Sequence, residues 1–177
     1  RAVSIGVSPH FEHMNISMAH PTRLRIRTNA KLILEPNTCI LKGCYIAIAP
    51  KTTINIGTES YIAHGVCINI KSGLTIGKNV MIGHESTIMD YDGHPIFYSQ
   101  DELDAYHGEA YGGKSIPITI EDNVWIGFRT TILKGVKIGT GSIIGANSCV
   151  TTDIPPNSIA AGNPAKIIKG NIVWKRY

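Results

Sequence analysis

Residues 118–170 read ITIEDNVWIGFRTTILKGVKIGTGSIIGANSCVTTDIPPNSIAAGNPAKIIKG. From Ile120 an aliphatic residue returns at every sixth position, through Ile126, Ile132, Ile138, Ile144 and Val150. Four places after each stands a small or β-branched residue: Val124, Thr130, Val136, Ser142, Ser148 and Ile154. Gly127, Gly139 and Gly145 directly follow three of the aliphatics. An amphipathic helix repeats its apolar face every three or four residues and a half-buried strand every two. A strict period of six matches neither. It suits a coil in which each hexapeptide makes one short strand and one corner, with the aliphatic side chain pointing inward.

The same step appears upstream in shifted phases. Leu34, Ile40 and Ile46 follow it, then Ile56, Ile62 and Ile68, then Ile70, Ile76, Ile82 and Ile88, offset by two from the set before. Each slip reads as a small corner insertion. Three hexapeptides close a triangular turn of about 18 residues, so the reading is an all-β parallel β-helix of roughly six turns in one domain, residues 1–177. The turns stack about 4.8 Å apart. The open ends of such a coil expose strand edges and need covers. Residues 1–25 are read as an N-terminal cap and 166–177 as a C-terminal tail. Between Ile88 and Ile116 the period stops, and residues 89–115 read as an active-site loop. This stretch carries His94, His107, six acidic residues and five aromatics, and long excursions from a compact scaffold tend to be functional.

Composition narrows the classes. The 177 residues carry a formal net charge of +4, too small an excess to argue for nucleic acid, and no run of basic residues is interleaved with aromatics. No segment approaches 18 continuous apolar residues, so no membrane span is expected. Cys39, Cys44, Cys67 and Cys149 have neither CxxC nor metal-ligand spacing. They read as small structural thiols in a reducing, cytoplasmic compartment. His10 and His13 lack an ordered third ligand, so no metal is expected.

The motifs NVWIG, DIPPNSIAAGNPAK and Gly93-His94-Pro95 together closely resemble the hexapeptide-repeat acetyltransferases. The likeness is to the galactoside, maltose and virginiamycin enzymes and the capsule and O-antigen O-acetyltransferases, and it covers residues 55–170. It implies a left-handed coil, against the usual crossover rule. It also implies a homotrimer with active sites between subunits, and acetyl-CoA as donor. Residues 1–50 do not resemble the helical N-terminal segment of the galactoside and maltose enzymes, which helps to shape the acceptor pocket.

Acetyl transfer from a thioester to a hydroxyl requires a base for the alcohol proton, donors for the tetrahedral oxyanion, and both substrates in contact. His94 stands where the family places its catalytic histidine, and the unperturbed imidazole suits a base at neutral pH. Asp90, Asp92 and Glu109 are candidates to orient it. His64 and His84 each lie two residues after an inward aliphatic, so they point outward; with Asp92 and Trp125 they are expected at the acceptor. The resemblance puts the donor along the C-terminal turns, at Phe128, Ala146, Thr151, Ala161, Lys166 and Lys169, the lysines near the nucleotide phosphates. Phe128 replaces a small polar residue of the galactoside enzymes, and Thr152 stands where relatives often carry lysine.

The expected function is acetyl-CoA-dependent O-acetylation of a saccharide in surface-polysaccharide or O-antigen synthesis. N-acetylation of an amino sugar nucleotide, xenobiotic acetylation of the virginiamycin type and a non-catalytic trimeric scaffold are the alternatives. A carbonic anhydrase of this fold would need paired zinc histidines whose spacing is not found.

Overall fold

The computed structural model of the chain describes residues 21–108 and 113–176. Its strands run in chain order through three faces. The first turn holds β1 (Arg23–Ile26), β2 (Lys31–Leu34) and β3 (Cys39–Ile40), and the second β4 (Tyr45–Ile48), β5 (Thr53–Ile56) and β6 (Tyr61–Ile62). The third holds β7 (Cys67–Ile70), β8 (Leu74–Ile76) and β9 (Met81–Ile82). The fourth begins with β10 (Thr87–Met89), leaves for the excursion and its short helix α1 (Gln100–Asp104), and returns as β11 (Ile118–Ile120) and β12 (Trp125–Ile126). β13 (Thr131–Leu133), β14 (Lys137–Ile138) and β15 (Ile143–Ile144) make the fifth. The sixth has β16 (Cys149–Val150), a single bridge at Ile154, and β17 (Ile159–Gly162). β18 (Ala165–Lys169) then folds back antiparallel on β17.

Every third strand pairs in parallel, giving a first sheet β1-β4-β7-β10-β13-β16, a second of β2, β5, β8, β11 and β14, and a third ending in β17 and β18. The fold is thus the expected β-solenoid of about six turns with nearly no helix. Its interior is a ladder of aliphatic side chains, Ile46, Ile68, Ile88, Ile132 and Val150 down the first sheet and Ile62, Ile82, Ile126 and Ile144 down the third, all shut off from solvent. Each such side chain contributes about 1.5–3 kcal/mol by leaving water.

The turn length, however, is not constant at 18. Tyr45 pairs with Cys67, 22 residues on; Tyr61 with Met81, 20 on; Trp125 with Ile143, 18 on; and Ile143 with Ile159, 16 on. All of the change falls at one corner. From second to third sheet the inward residues step by six throughout: Leu34 to Ile40, Ile56 to Ile62, Ile76 to Ile82, Ile120 to Ile126, Ile138 to Ile144. From third to first they also step by six: Ile40 to Ile46, Ile62 to Ile68, Ile82 to Ile88, Ile126 to Ile132, Ile144 to Val150. From first to second the step is ten (Ile46 to Ile56), eight (Ile68 to Ile76), six (Ile132 to Ile138) and finally four (Val150 to Ile154). The phase slips are therefore only partly corner insertions. The four-residue strands β4, β5 and β7 turn two side chains inward, as Ile68 and Ile70 do, and so restart the count two places on.

Corners are closed by residues in the left-handed region, where asparagine and glycine are least strained. Between second and third sheets these are Asn37, Glu59, Asn79, Asn123, Gly141 and Asn157, one per turn. The small or β-branched residues four after each aliphatic are buried. Their hydroxyls link neighbouring turns: Ser60 donates to the Gly77 carbonyl at 2.8 Å and accepts from the Val80 amide at 3.1 Å, so these buried polar groups stay satisfied.

The faces differ in chemistry. Apart from Ile33, outward positions of the second sheet are polar or charged, as at Lys31, Thr53, Thr75, Thr119 and Lys137. Those of the first are uncharged from β4 onward, as at Tyr45, Cys67, Thr87, Thr131 and Cys149. Those of the third include Tyr61, Met81, Trp125 and Ile143. All four cysteines are free thiols. Burial pushes the Cys44 and Cys67 thiols above the usual range, which keeps them protonated and unreactive.

Candidate functional site

The excursion leaves the coil at the corner whose spacing varies, and its two ends are tied together. Tyr91 and Ser115 form an antiparallel bridge. The Ile116 amide donates to the Asp90 carbonyl at 2.9 Å and the Asp92 amide to the Lys114 carbonyl at 3.2 Å. Below this clasp the Asp90 side chain is fully buried. Its carboxylate accepts from the amides of Lys71, Ser72 and Gly73 at 2.7–2.9 Å, and from the Ser72 hydroxyl at 2.8 Å. Successive amides converging on one anion form a small nest. A carboxylate in a dry interior is tolerated only when its oxygens are bonded this fully. Asp90 therefore fastens the loop base to the preceding turn, and both of its oxygens are taken up there, so it is not a free orienting group for His94. Lys71 also lies 4.3 Å from the centroid of the Tyr91 ring, a cation–π contact at the same clasp.

Gly93-His94-Pro95 follows directly, with His94 exposed to solvent. Two contacts fix the backbone here. Asp92 is ion-paired with Lys134, beyond the end of β13. Gly113 packs so closely that a Cβ on it would lie 2.6 Å from the His94 carbonyl oxygen and 2.9 Å from the Asp92 Cβ. Glu109 lies outside the described residues, as do His10 and His13. Farther out, Phe97 packs against Tyr106 with ring centroids 5.0 Å apart. Ser99 caps α1, accepting from the Glu102 amide.

A second feature lies on the third sheet and its corner toward the first. A groove of about 460 Å³ is lined by Met81, His84, Trp125, Phe128, Ile143 and Ala146, with Tyr61 at one end. Its floor is lowered by Gly83, Gly127 and Gly145, stacked one per turn. A Cβ on Gly127 would meet the Ala146 nitrogen at 2.5 Å, so the turns approach too closely there for larger side chains. His64 and His84 stack at this corner, centroids 5.4 Å apart and planes within 16°. His64 Nδ1 is buried without a hydrogen-bond partner among the described residues.

The residues singled out from the sequence thus divide into separate groups. His84, Trp125, Phe128 and Ala146 line the groove, and His64 stacks behind His84. Ala161 continues the small-residue column, its Cβ facing Gly145, and Lys166 pairs with it across the β17–β18 hairpin, with Lys169 opposite Ile159. Thr151 sits past Val150 at the other corner, exposed and not among the groove's lining. Asp92 and His94 belong to the clasp and do not line the groove within this chain. Sequence reasoning missed Lys134, Gly113, Trp174 and Arg176. Trp174 packs on Trp125 with centroids 6.1 Å apart and a buried Nε1. Lys134 breaks no period, and the last two residues lie in a tail without one.

Comparison with known proteins fits this arrangement. A family model described as bacterial transferase hexapeptide (six repeats) matches residues 117–152. The galactoside O-acetyltransferase of Escherichia coli K12 is 42% identical over 118 residues, 67% of this chain and 54% of its own length. The chain spans about half the length of the curated relatives it matches. The crystal structure of the polySia specific acetyltransferase NeuO superposes with a TM-score of 0.69 at 29% identity, covering 93% of this chain and 83% of that one. A hexapeptide-repeat acetyltransferase from Vibrio cholerae O1 biovar eltor, solved in complex with acetyl coenzyme A, superposes with a TM-score of 0.62 at 29% identity. That match covers 81% of this chain and 71% of the other.

Proposed function

Because this chain belongs to the hexapeptide-repeat acetyltransferase family, we propose that it transfers an acetyl group from acetyl-CoA to a hydroxyl of a saccharide, with His94 as general base. The observation that carries the reading is the excursion itself. A regular coil departs from its period once at length, and there it holds an exposed histidine on a base fixed by Asp90, the Tyr91–Ser115 bridge and the Asp92–Lys134 pair. Imidazole takes the hydroxyl proton as the alkoxide attacks the thioester carbonyl, backbone amides of the groove stabilise the oxyanion, and CoA leaves as the thiol. Direct attack requires no protein nucleophile.

The groove supports the donor half of the reading. Its glycine floor admits an amide chain such as pantetheine close to exposed backbone at Ala146 and Ala161, and Lys166 and Lys169 at its C-terminal end suit phosphates. His64, His84, Asp92 and Trp125 are assigned to the acceptor. His94 and the groove sit at different corners of one chain, and the groove's corner lies between the first face, uncharged from β4 onward, and the third, which presents Tyr61, Met81, Trp125 and Ile143. A homotrimer that brings the loop of one copy to the groove of the next completes the site. Surface-polysaccharide or O-antigen modification in the cytoplasm is the proposed setting.

The test is thiol release from acetyl-CoA against sugars, oligosaccharides and amino sugars, wild type beside His94→Ala. The expected result is acceptor-dependent release with hydroxyl acceptors, kcat lowered at least ~100-fold in the variant, and an unchanged Tm. Near-wild-type turnover removes His94 from the role of base. No release with any acceptor, together with no CoA binding by calorimetry, favours a non-catalytic scaffold.

A further inference from the structure

The second-to-third-sheet corner carries a separate cavity of about 600 Å³, lined by Asn37, Asn79, Asn123, Tyr61, Lys175 and Arg176 together with Glu59. The asparagines are there first for backbone reasons, with φ of 61°, 52° and 54°. Asn79 and Asn123 stand on adjacent turns, about 4.8 Å apart, and the Asn79 amide donates to Asn123 Oδ1 at 2.8 Å, whereas Glu59 takes the corner position between Asn37 and Asn79. What the coil does not require is the arrival of Arg176. The chain after β18 returns along the third sheet, with the Ile172 amide on the Asn157 carbonyl at 2.9 Å and Trp174 against Trp125. It sets Arg176 Nη1 2.8 Å from the Glu59 carbonyl and 3.4 Å from Asn79 Oδ1, with the guanidinium carbon 5.9 Å from the centre of the Tyr61 ring.

We propose that this cavity is a second saccharide subsite, for an acidic sugar chain whose reacting residue occupies the groove. This inference rests on the saccharide reading given above. Side-chain amides offer donors and acceptors to neighbouring hydroxyls, and a guanidinium grips a carboxylate with two parallel bonds. The bonds described for Arg176 engage Nη1, one of the three nitrogens of a guanidinium that carries five N–H donors. Lys175 adds a second positive charge against the single carboxylate of Glu59. Tyr61 borders both the cavity and the groove, so a chain held in one crosses it to reach the other.

Calorimetric titration of the full chain with galacturonic acid oligomers of one to six units, beside glucose oligomers of equal length, tests this. The acidic hexamer is expected to bind more tightly than the monomer, to weaken with salt, and to lose at least ~10-fold in affinity in Arg176→Ala. Unchanged tryptophan emission would report that the tail stays docked. Equal affinity in wild type and variant, or equal affinity for acidic and neutral oligomers, overturns the proposal. Should Arg176→Ala shift the emission, Asn123→Gly, which removes the amide and keeps the left-handed backbone of the corner, carries the decision by the same criterion. Binding is read without turnover. An inactive protein that binds the acidic hexamer sinks the acetyl-transfer reading alone, and an active one that does not bind it sinks only this subsite.

Discussion

Two corners of the coil hold their six-residue step from the second turn to the fifth, whereas the third contracts from ten to four and releases the excursion at residue 90. The difference follows from what each corner must touch. At the constant corners every turn rests on the next through backbone: the Glu85 amide on the His64 carbonyl and the Arg129 amide on the His84 carbonyl, at 2.9 and 2.7 Å. An inserted residue there would break the column above and below. At the variable corner the length changes are taken up within strands that turn one or two side chains inward, so the stack tolerates them. The loop that carries His94 therefore emerges where insertion costs least, and the groove forms where the coil is most regular.

Two glycines make the contrast testable, one in each region. Gly127 stands in the regular corner, where an added Cβ meets the Ala146 nitrogen at 2.5 Å and its Cα at 2.8 Å, both in fixed backbone. Gly127→Ala is expected to lower unfolding stability by about 1–3 kcal/mol, the usual cost of overpacking. Urea denaturation followed by circular dichroism measures it. An unchanged midpoint would mean that the turns can part locally, and the rigid-column account of the constant corners would be wrong.

Gly113 sits in the excursion, where the added Cβ meets the His94 carbonyl oxygen at 2.6 Å. This segment rests on an exposed loop, so the loop is expected to yield and the coil to stay intact. Gly113→Ala should then leave Tm within a degree or two of wild type and lower kcat by about 10–100-fold, because a small misplacement of a catalytic group is costly. KM for acetyl-CoA should change little, since the groove proposed for the donor is built without Gly113 or His94. A loss of stability comparable with Gly127→Ala, with turnover intact, would erase the distinction between the regions.

The same contrast explains what could be read from the chain beforehand. Ile120 to Val150 announce the coil because a repeated inward contact leaves a repeated residue type. Where two inward side chains share a strand, as Ile68 and Ile70 do, the period slips and the 18-residue turn is no longer evident. His94 stood out through its motif, and the structure sets it exposed on the excursion. Asp90 was not distinguishable from Asp92, since a buried carboxylate capping three amides and an acid paired with Lys134 differ only in three-dimensional surroundings. Trp174 and Arg176 belong to a stretch with no period at all, and their contacts with Trp125 and Glu59 reach across more than forty and more than a hundred residues.

The smallest expected effect lies at a constant corner and asks how much of its regularity is electrostatic. Glu121 accepts from the Thr140 amide at 2.9 Å, from its hydroxyl at 3.0 Å and from Lys137 Nζ at 2.8 Å. The Lys137 bond is the main reason its carboxyl is held below the usual range, and the same bond raises Lys137. A carboxylate with a depressed folded pKa stabilises the fold above its unfolded pKa and loses that contribution as the pH falls through the folded value. The lysine, with a raised folded pKa, contributes below its unfolded pKa and loses it as the pH rises through the folded value. Glu121→Gln should therefore cost at neutral pH, and the gap to wild type should close below the carboxylate range. Because the pair is solvent-accessible, the cost should be small. Denaturation of both proteins at neutral and acid pH separates the cases. A larger gap, or one that persists in acid, would assign the corner's order to the geometry of this side chain and not to its charge.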